Sequence, residues 1–438
     1  MKRTVSTRVD ARLQERSQLT RPDYVVYIPR STDDRAYDRV NEHFLVFDGP
    51  DGSLMAVWTQ ECISPGKGHV GHIVFSRSDD EGVTWTPPRR VVGPRSPDDP
   101  AHMSVWAFPM VSRSGRIYVL YNQNQGVAGW ILFHTGTMGG VYSDDNGLTW
   151  SEPQDVPMPA SPFDDPGCGI PPEWIVWQKP MRDLSGGYIV GYSHWVKPAV
   201  AYLKTVSHWT EIESVCEFMR FTNVDDNPQP RNLQIRFSPP ERALRVPHRE
   251  YPQMSVAQEP SLVRLPDSRL FCVMRTCSGC IWWSQSRDDG ETWCSPRPLL
   301  YKDHGRPLLN PVSCDPIYPL SDGRYVILYH NTRGGKLAGG VSDAFPRRPL
   351  FISVGEFRPA ADQPLWFSEP RLLMDNDGLG PDGLAHPPED KRAGQLSMYA
   401  SFTNRKGNDV LWYPDSKFFL LGKRITPEVL AGLDVPGQ

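Results

Sequence analysis

No stretch of this 438-residue chain approaches the roughly 20 consecutive apolar residues of a membrane span. The first 20 residues, MKRTVSTRVDARLQERSQLT, lack the apolar middle of a secretory signal peptide, so a cytoplasmic protein is expected. Positive charge is not in excess either. Lys and Arg together number 47 against 51 Asp and Glu, a net charge of −4, which leaves no basic field to draw in nucleic acid or an anionic membrane; neither partner is expected. The eight cysteines provide a single C-x-x-C, Cys277 and Cys280, without the second pair that a zinc site needs. Reduced, structural thiols and no metal or cofactor are the expectation.

What the chain has in abundance is turn and anchor residues: 44 Pro, 36 Gly and 14 Trp, a composition suited to many short strands. Three copies of an eight-residue signature, S-x-D-x-G-x-T-W, run over Ser78–Trp85, Ser143–Trp150 and Ser286–Trp293. Their tryptophans stand 65 and 143 residues apart, one period and then two, with a degenerate copy expected between the second and third. A period of about 65 to 72 residues suits a four-stranded propeller blade with generous loops. Within the signature, Asp80, Asp145 and Asp288 can accept backbone N–H groups inside a tight turn, and Gly82, Gly147 and Gly290 supply a positive φ. These acids are read as structural.

Strand pairs separated by turn residues give six blades, opening at HFLVF, AFPMVS, EWIVWQKP, SLVRL, CDPIYPL and QLSMYASF. The fold class expected is all-β, a six-bladed β-propeller, with room for a seventh blade hidden between Pro198 and Pro252. YVVYIP, residues 24–29, is expected to pair into the last blade and close the ring. A flexible segment over residues 1–22 would precede one propeller domain over 23–438, in which 375–392 is a loop.

The signature is the Asp-box, or BNR repeat, of the sialidase (neuraminidase) superfamily, and the chain resembles that superfamily over most of its length. The stretch QEPSLVRLPDSRLFCVMRTCSGCIWWSQSRDDGETW, residues 258–293, is the most similar part. The resemblance implies that Glu259 polarises a nucleophilic tyrosine and that Arg275 belongs to an arginine triad clasping the substrate carboxylate. NPVSCDPIYPLSDGRYVILYHNTR offers Arg333 as a further triad member, and the tyrosine of QLSMYASF, Tyr399, as the nucleophile. Sialidases carry an Arg-Ile-Pro whose Arg opens the triad, whereas this chain reads Tyr27-Ile28-Pro29, with Arg30 expected to face otherwise on the strand. The general-acid Asp has no evident counterpart. At the entrance of the first blade stand Asn41, Glu42 and His43.

Polar groups at equivalent strand ends complete the candidate set: His102 before the second blade, Tyr121 and Asn122, Asp315 and Tyr318, and His330 with Asn331. Trp106, Trp177 and Trp195 are candidate stacking faces for a sugar. The reading adopted is a retaining exo-glycosidase removing a terminal, acidic sugar from a glycan. Tyr399 is the nucleophile, activated by Glu259; Arg275 and Arg333 grip the carboxylate, and Asp48 or His43 donates the proton. One alternative is a uronate lyase that uses His43, Tyr121, His330 and Arg275 for β-elimination. The other is a glycan-binding propeller without catalysis. The partner expected in all three cases is a glycan or oligosaccharide.

Overall fold

Each blade begins with an apolar strand that a short turn folds back on its neighbour, and the alternation of side chains buries one face against the blade before and the other against the blade after. The computed structural model describes residues 18–29, 38–64, 68–96, 98–165, 167, 169–335, 346–375, 395–397 and 399–437. Among these residues the strands form six antiparallel sheets of four or five strands, one per blade. The innermost strands are Val40–Asp48, Ser104–Val111, Trp174–Ile175 continued by Met181–Arg182, Gln258–Arg264, Ile317–Pro319 and Ser401–Arg405. The fold is therefore the six-bladed propeller expected. The stretch that could have held a seventh blade completes the third instead, with strands Ser214–Phe221 and Ile235–Phe237.

Strand Tyr24–Tyr27 pairs with Phe419–Arg424 as the outermost strand of the sixth blade, so the two ends of the chain share one sheet. Across that seam Phe44, Val46 and Trp58 of the first blade pack on Trp412 and Leu420 of the sixth. Residues 1–17, most of the segment expected to be flexible, lie outside the described residues. Beyond them Lys423 Nζ bonds the carbonyl of Leu19 at 2.7 Å, and Thr20 Oγ1 accepts the N–H of Asp375 at 2.8 Å.

The three signatures form superimposable turns between third and fourth strands. In each, the Ser hydroxyl donates to the Asp and accepts the Gly N–H, while the Asp takes both the N–H and the hydroxyl of the Thr. The tryptophans reach to the preceding blade: Trp85 lies 5.7 Å from Trp412, Trp150 5.4 Å from Phe75 and Trp293 4.5 Å from Phe218, centroid to centroid. Gly147 shows why the turn needs glycine. Its φ is +79°, and a Cβ there would meet the Phe75 ring at 2.4 Å.

Candidate active site

Three of the innermost strands carry the same irregularity. The register slips between Glu42 and Leu45, between Val105 and Phe108, and between Gln258 and Ser261, so that two residues oppose one on the next strand. The first of the two is His43, Trp106 or Glu259, each left-handed, with φ of 55°, 57° and 47°. Tyr399, with φ of 62°, stands two residues ahead of the sixth blade's innermost strand. Such a conformation costs a non-glycine residue on the order of 1–3 kcal/mol, and a bulge of this kind re-aims the side chain. Here it turns side chains from four blades toward one another: Trp106 lies 4.8 Å from Tyr399 and 5.1 Å from His43, and Tyr399 Oη is 3.0 Å from Glu259. Residues from the first, second, fourth and sixth blades can meet only at the axis of the ring.

Glu259 is the hub. Its Oε1 accepts both the Tyr399 hydroxyl and Arg275 Nη1, while Oε2 has no partner among the described residues. Ser193 Oγ of the third blade accepts the Glu259 N–H at 2.6 Å and fixes its backbone. Glu259, Arg275 and Tyr399 are all buried. Burial, and then the charge of Glu259, push the Tyr399 phenol well above its ordinary range, so the hydroxyl keeps its proton and directs it at the carboxylate. Burial opposes the charge of Arg275, but Glu259 and Tyr399 outweigh it and hold the guanidinium firmly protonated.

A second arginine converges on the same place. Arg347 donates from Nε and Nη2 to the Val312 carbonyl and from Nη1 to Gln395 Oε1 at 3.0 Å. Its guanidinium carbon lies 5.7 Å from the ring centroid of Trp209, and that of Arg275 lies 5.5 Å from the same ring. Burial and the nearby Arg275 both lower the Arg347 pKa. Two buried cations in mutual repulsion are relieved by an anion between them.

On the other side of Tyr399 lies a group of carboxyls. Lys417 pairs with Glu42, and its Nζ stands 5.2 Å from the Tyr399 ring centroid. Glu42 also hydrogen-bonds the carboxyl of Glu61; burial works against its charge, but Lys417 and Glu61 together lower its pKa. Glu61, on the strand paired with the one that carries Glu42, is thus a second buried carboxyl beside it. His43 is neutral, lowered to about 3 by burial, which outweighs the charge of Glu42 and the backbone groups of Trp177 and Val176 that its ring faces. Deeper in the channel Lys179 of the third blade bonds the carbonyls of Val46 and Phe402, both at 2.7 Å.

Of the residues singled out in the sequence, Glu259, Tyr399, His43, Arg275 and Trp106 come together here. Asp315 is buried beside them with both carboxylate oxygens unpartnered, and burial followed by the charge of Glu259 raises its pKa well above the ordinary value. Trp177 and Trp195 are fully buried, not open faces; Trp177 Nε1 donates to the Pro260 carbonyl at 3.0 Å. The others stand elsewhere. Arg333 is exposed beside Gly279, and the arginine that shares the Trp209 ring with Arg275 is Arg347. His102 is exposed. Tyr121 belongs to the apolar core of the first three blades, because it faces the bulge rather than the channel. His330 is buried, with Nδ1 against the Pro349 carbonyl at 3.1 Å. Asp48 sits at the far end of its strand, exposed, 3.1 Å from Arg405. Tyr27 lies in the outermost strand of the closing blade and bonds Asp38, so the tripeptide compared with Arg-Ile-Pro is not at the axis; Arg30 falls outside the described residues. Among the described residues no three His, Cys, Asp or Glu side chains are grouped to hold a metal ion.

Residues 52–416 match the BNR repeat-like domain family. No curated protein matches the sequence. Solved structures share the fold at low identity. A Dyadobacter fermentans protein of unknown function aligns with a TM-score of 0.56 and 13% identity, over 92% of this chain and 96% of its own. The leech intramolecular trans-sialidase, complexed with 2,7-anhydro-Neu5Ac, aligns with a TM-score of 0.58 and 13% identity over 95% of this chain and 71% of that one. Trypanosoma rangeli sialidase in complex with sialic acid aligns with a TM-score of 0.56 and 13% identity over 94% of this chain, which spans 58% of that protein's length.

Proposed function

Because this chain belongs to the BNR repeat-like domain family, matched over residues 52–416, we propose that it is a retaining exo-glycosidase that removes a terminal acidic sugar from a glycan. The observation that carries the reading is the shared oxygen of Glu259, which holds the Tyr399 hydroxyl at 3.0 Å and Arg275 at once. Glu259 takes the phenolic proton as Tyr399 attacks the anomeric carbon, and a neutral nucleophile avoids repulsion with an anionic substrate. Arg275 and Arg347 receive the sugar carboxylate over Trp209. Glu61 gives its proton to the leaving oxygen, and Lys417 keeps Glu42 ionised beside it. Sialidase structures of the same fold, among them one complexed with sialic acid, favour an acidic sugar as ligand.

A second reading is elimination from a uronate. The observation in its favour is His43, a neutral imidazole beside Tyr399. Product analysis on a panel of sialosides and uronate oligosaccharides separates the two. Hydrolysis yields a saturated free sugar with retained anomeric configuration, whereas elimination yields an unsaturated product absorbing in the near ultraviolet. Absence of both on every acidic substrate would leave only a binding role.

A further inference from the structure

Trp106 carries two costs at one position. Its backbone is left-handed at φ 57°, which is strained for a bulky side chain, and its indole Nε1, buried with the rest of the residue, has no hydrogen-bond partner among the described residues. The bulge that imposes the first cost is fixed from the neighbouring blade: the Trp106 N–H donates to Thr59 Oγ1 at 3.2 Å, and Thr59 stands opposite Glu42 in the first blade. Buried polar groups in a native fold nearly always find a partner. Fully buried indoles elsewhere in the ring do so: Trp58 donates to Asn41 Oδ1 at 2.9 Å, Trp174 to the Gly136 carbonyl at 3.0 Å and Trp412 to Thr403 Oγ1 at 2.8 Å. Trp293 and Trp366 also lack a partner among the described residues. Both, however, are partly exposed and stand away from the axis, in the third signature and in the outer strand Leu365–Phe367.

The sequence suggests Trp106 as a stacking face for a sugar, but the packing leaves no face open. His43 of the first blade lies 5.1 Å from the indole at an interplanar angle of 53°, Tyr399 of the sixth 4.8 Å at 86°, and His134 of the second 5.6 Å at 68°. His134 is backed in turn by Trp195, stacked at 4.3 Å and 24°. Its segment is held by Glu173, which accepts the N–H groups of Trp130 and Ile131 at 2.8 and 2.6 Å. Rings from three blades thus frame the indole, and only 3% of the residue is exposed. What Trp106 keeps for a ligand is the N–H.

An indole N–H only donates, so its partner on a ligand is an acceptor oxygen. Tyr399, in ring contact with the indole, is the nucleophile of the proposed reaction and reaches only the sugar unit whose anomeric carbon it attacks. A donor framed by that phenol meets the same unit. Arg275 and Arg347 take the carboxylate of that unit over Trp209, which leaves its hydroxyl, acyl and ring oxygens to Trp106. We propose that Trp106 is a specificity-determining residue whose indole N–H donates to a non-carboxylate oxygen of the acidic sugar at the axis. The sugar supplies the acceptor that the folded chain withholds, and the strained bulge is the means of presenting the donor to it. The identity of the sugar unit rests on the glycosidase reading; the presence of the donor does not.

The test is an NMR titration of the full chain, isotopically labelled at the indole nitrogens. Trp106→benzothienylalanine keeps the shape of the side chain and puts sulfur in place of the N–H, so the indole resonance missing from its spectrum is that of Trp106. In the wild type this resonance should move on saturation with N-acetylneuraminic acid or glucuronic acid, and stay in place with lactose. The kcat/KM of the variant should fall about tenfold. The factor should be the same on aryl and alkyl glycosides of the acidic sugar, because the lost bond lies on the unit they share. Trp106→Phe, which also removes the N–H, should lose at least as much. A resonance that neither acidic sugar moves, a variant that cleaves an acidic glycoside as fast as the wild type, or a loss confined to one class of leaving group would overturn the proposal. Failure of the glycosidase reading shows separately, as no sugar released by the wild type while the resonance still moves.

Discussion

Tyr399 and Glu259, which are 140 residues apart in sequence, share a hydrogen bond of 3.0 Å at the centre of the ring. The carboxylate oxygen that accepts it also binds Arg275, so the three groups to which the proposed glycosidase reading gives the roles of nucleophile, base and substrate-binding cation form one connected unit. Tyr399→Phe should lower kcat by about a thousandfold and Glu259→Gln by about a hundredfold or more. Combining the two should cost little beyond the first. Steady-state kinetics on an acidic aryl glycoside checks this, and independent, multiplicative losses would break the unit apart.

Arg347 is expected to act in binding, and Arg333 is not. Arg347→Ala should raise KM by about tenfold or more through loss of a charge-assisted bond to the sugar carboxylate, whereas Arg333→Ala should leave kcat and KM unchanged. The reverse pattern would restore the assignment made from the sequence.

Glu61 is tested through the leaving group. Glu61→Gln should lose activity on alkyl glycosides by about a hundredfold or more and keep it on aryl glycosides whose phenolate needs no proton. Equal losses on both substrates would assign Glu61 to structure alone.

Buried histidines give the stability profile a definite shape. His43, His72, His134 and His330 are lowered to about 3, chiefly by burial. Below the unfolded value of about 6.5 the unfolded chain binds protons that the native state refuses, so stability falls as pH drops. His194 is raised to about 9 because the bonds from Asp164 and Glu217 overcome its burial. Its contribution is complete below pH 6.5 and declines as pH rises toward 9. Melting temperature should therefore peak near pH 6.5 when followed between pH 5 and 8, with Lys179, lowered to about 8 by burial, releasing its proton over the last unit of that range and flattening the decline. His194→Gln should abolish the decline above the peak; an unchanged alkaline slope would contradict the assignment.

The fold could be read from the sequence because the Asp-box is a local device: Ser, Asp, Gly and Thr satisfy one another within eight residues, and only the Trp looks outward. Glu259 and Arg275 were also readable, since they stand at neighbouring positions on adjacent strands joined by a short turn, Arg275 pairing with Gln258. Arg347 and Glu61 were not. Arg347 stands outside the named strands, in an isolated bridge with Gln395, and Glu61 lies within a strand of its own blade, opposite Val40; no turn chemistry marks either. Tyr121 and Arg333 misled for the opposite reason. Both follow apolar runs at strand ends, but the bulge opposite Tyr121 turns its face inward to the core, and Arg333 lies past the end of its strand, out in solvent.

Strand Tyr24–Tyr27 finds its hydrogen-bonding partner in Phe419–Arg424, so a strand made early waits for one made far later before it can settle. Until then the first and sixth blades each expose a seam meant for the other, and Trp412 lacks the Tyr24 and Trp85 rings that flank it in the finished molecule. Contacts of such long range are slow to form. The fold is thus most exposed before Phe419–Arg424 has been made, and Trp412 is the surface that a chaperone would have to cover in that interval.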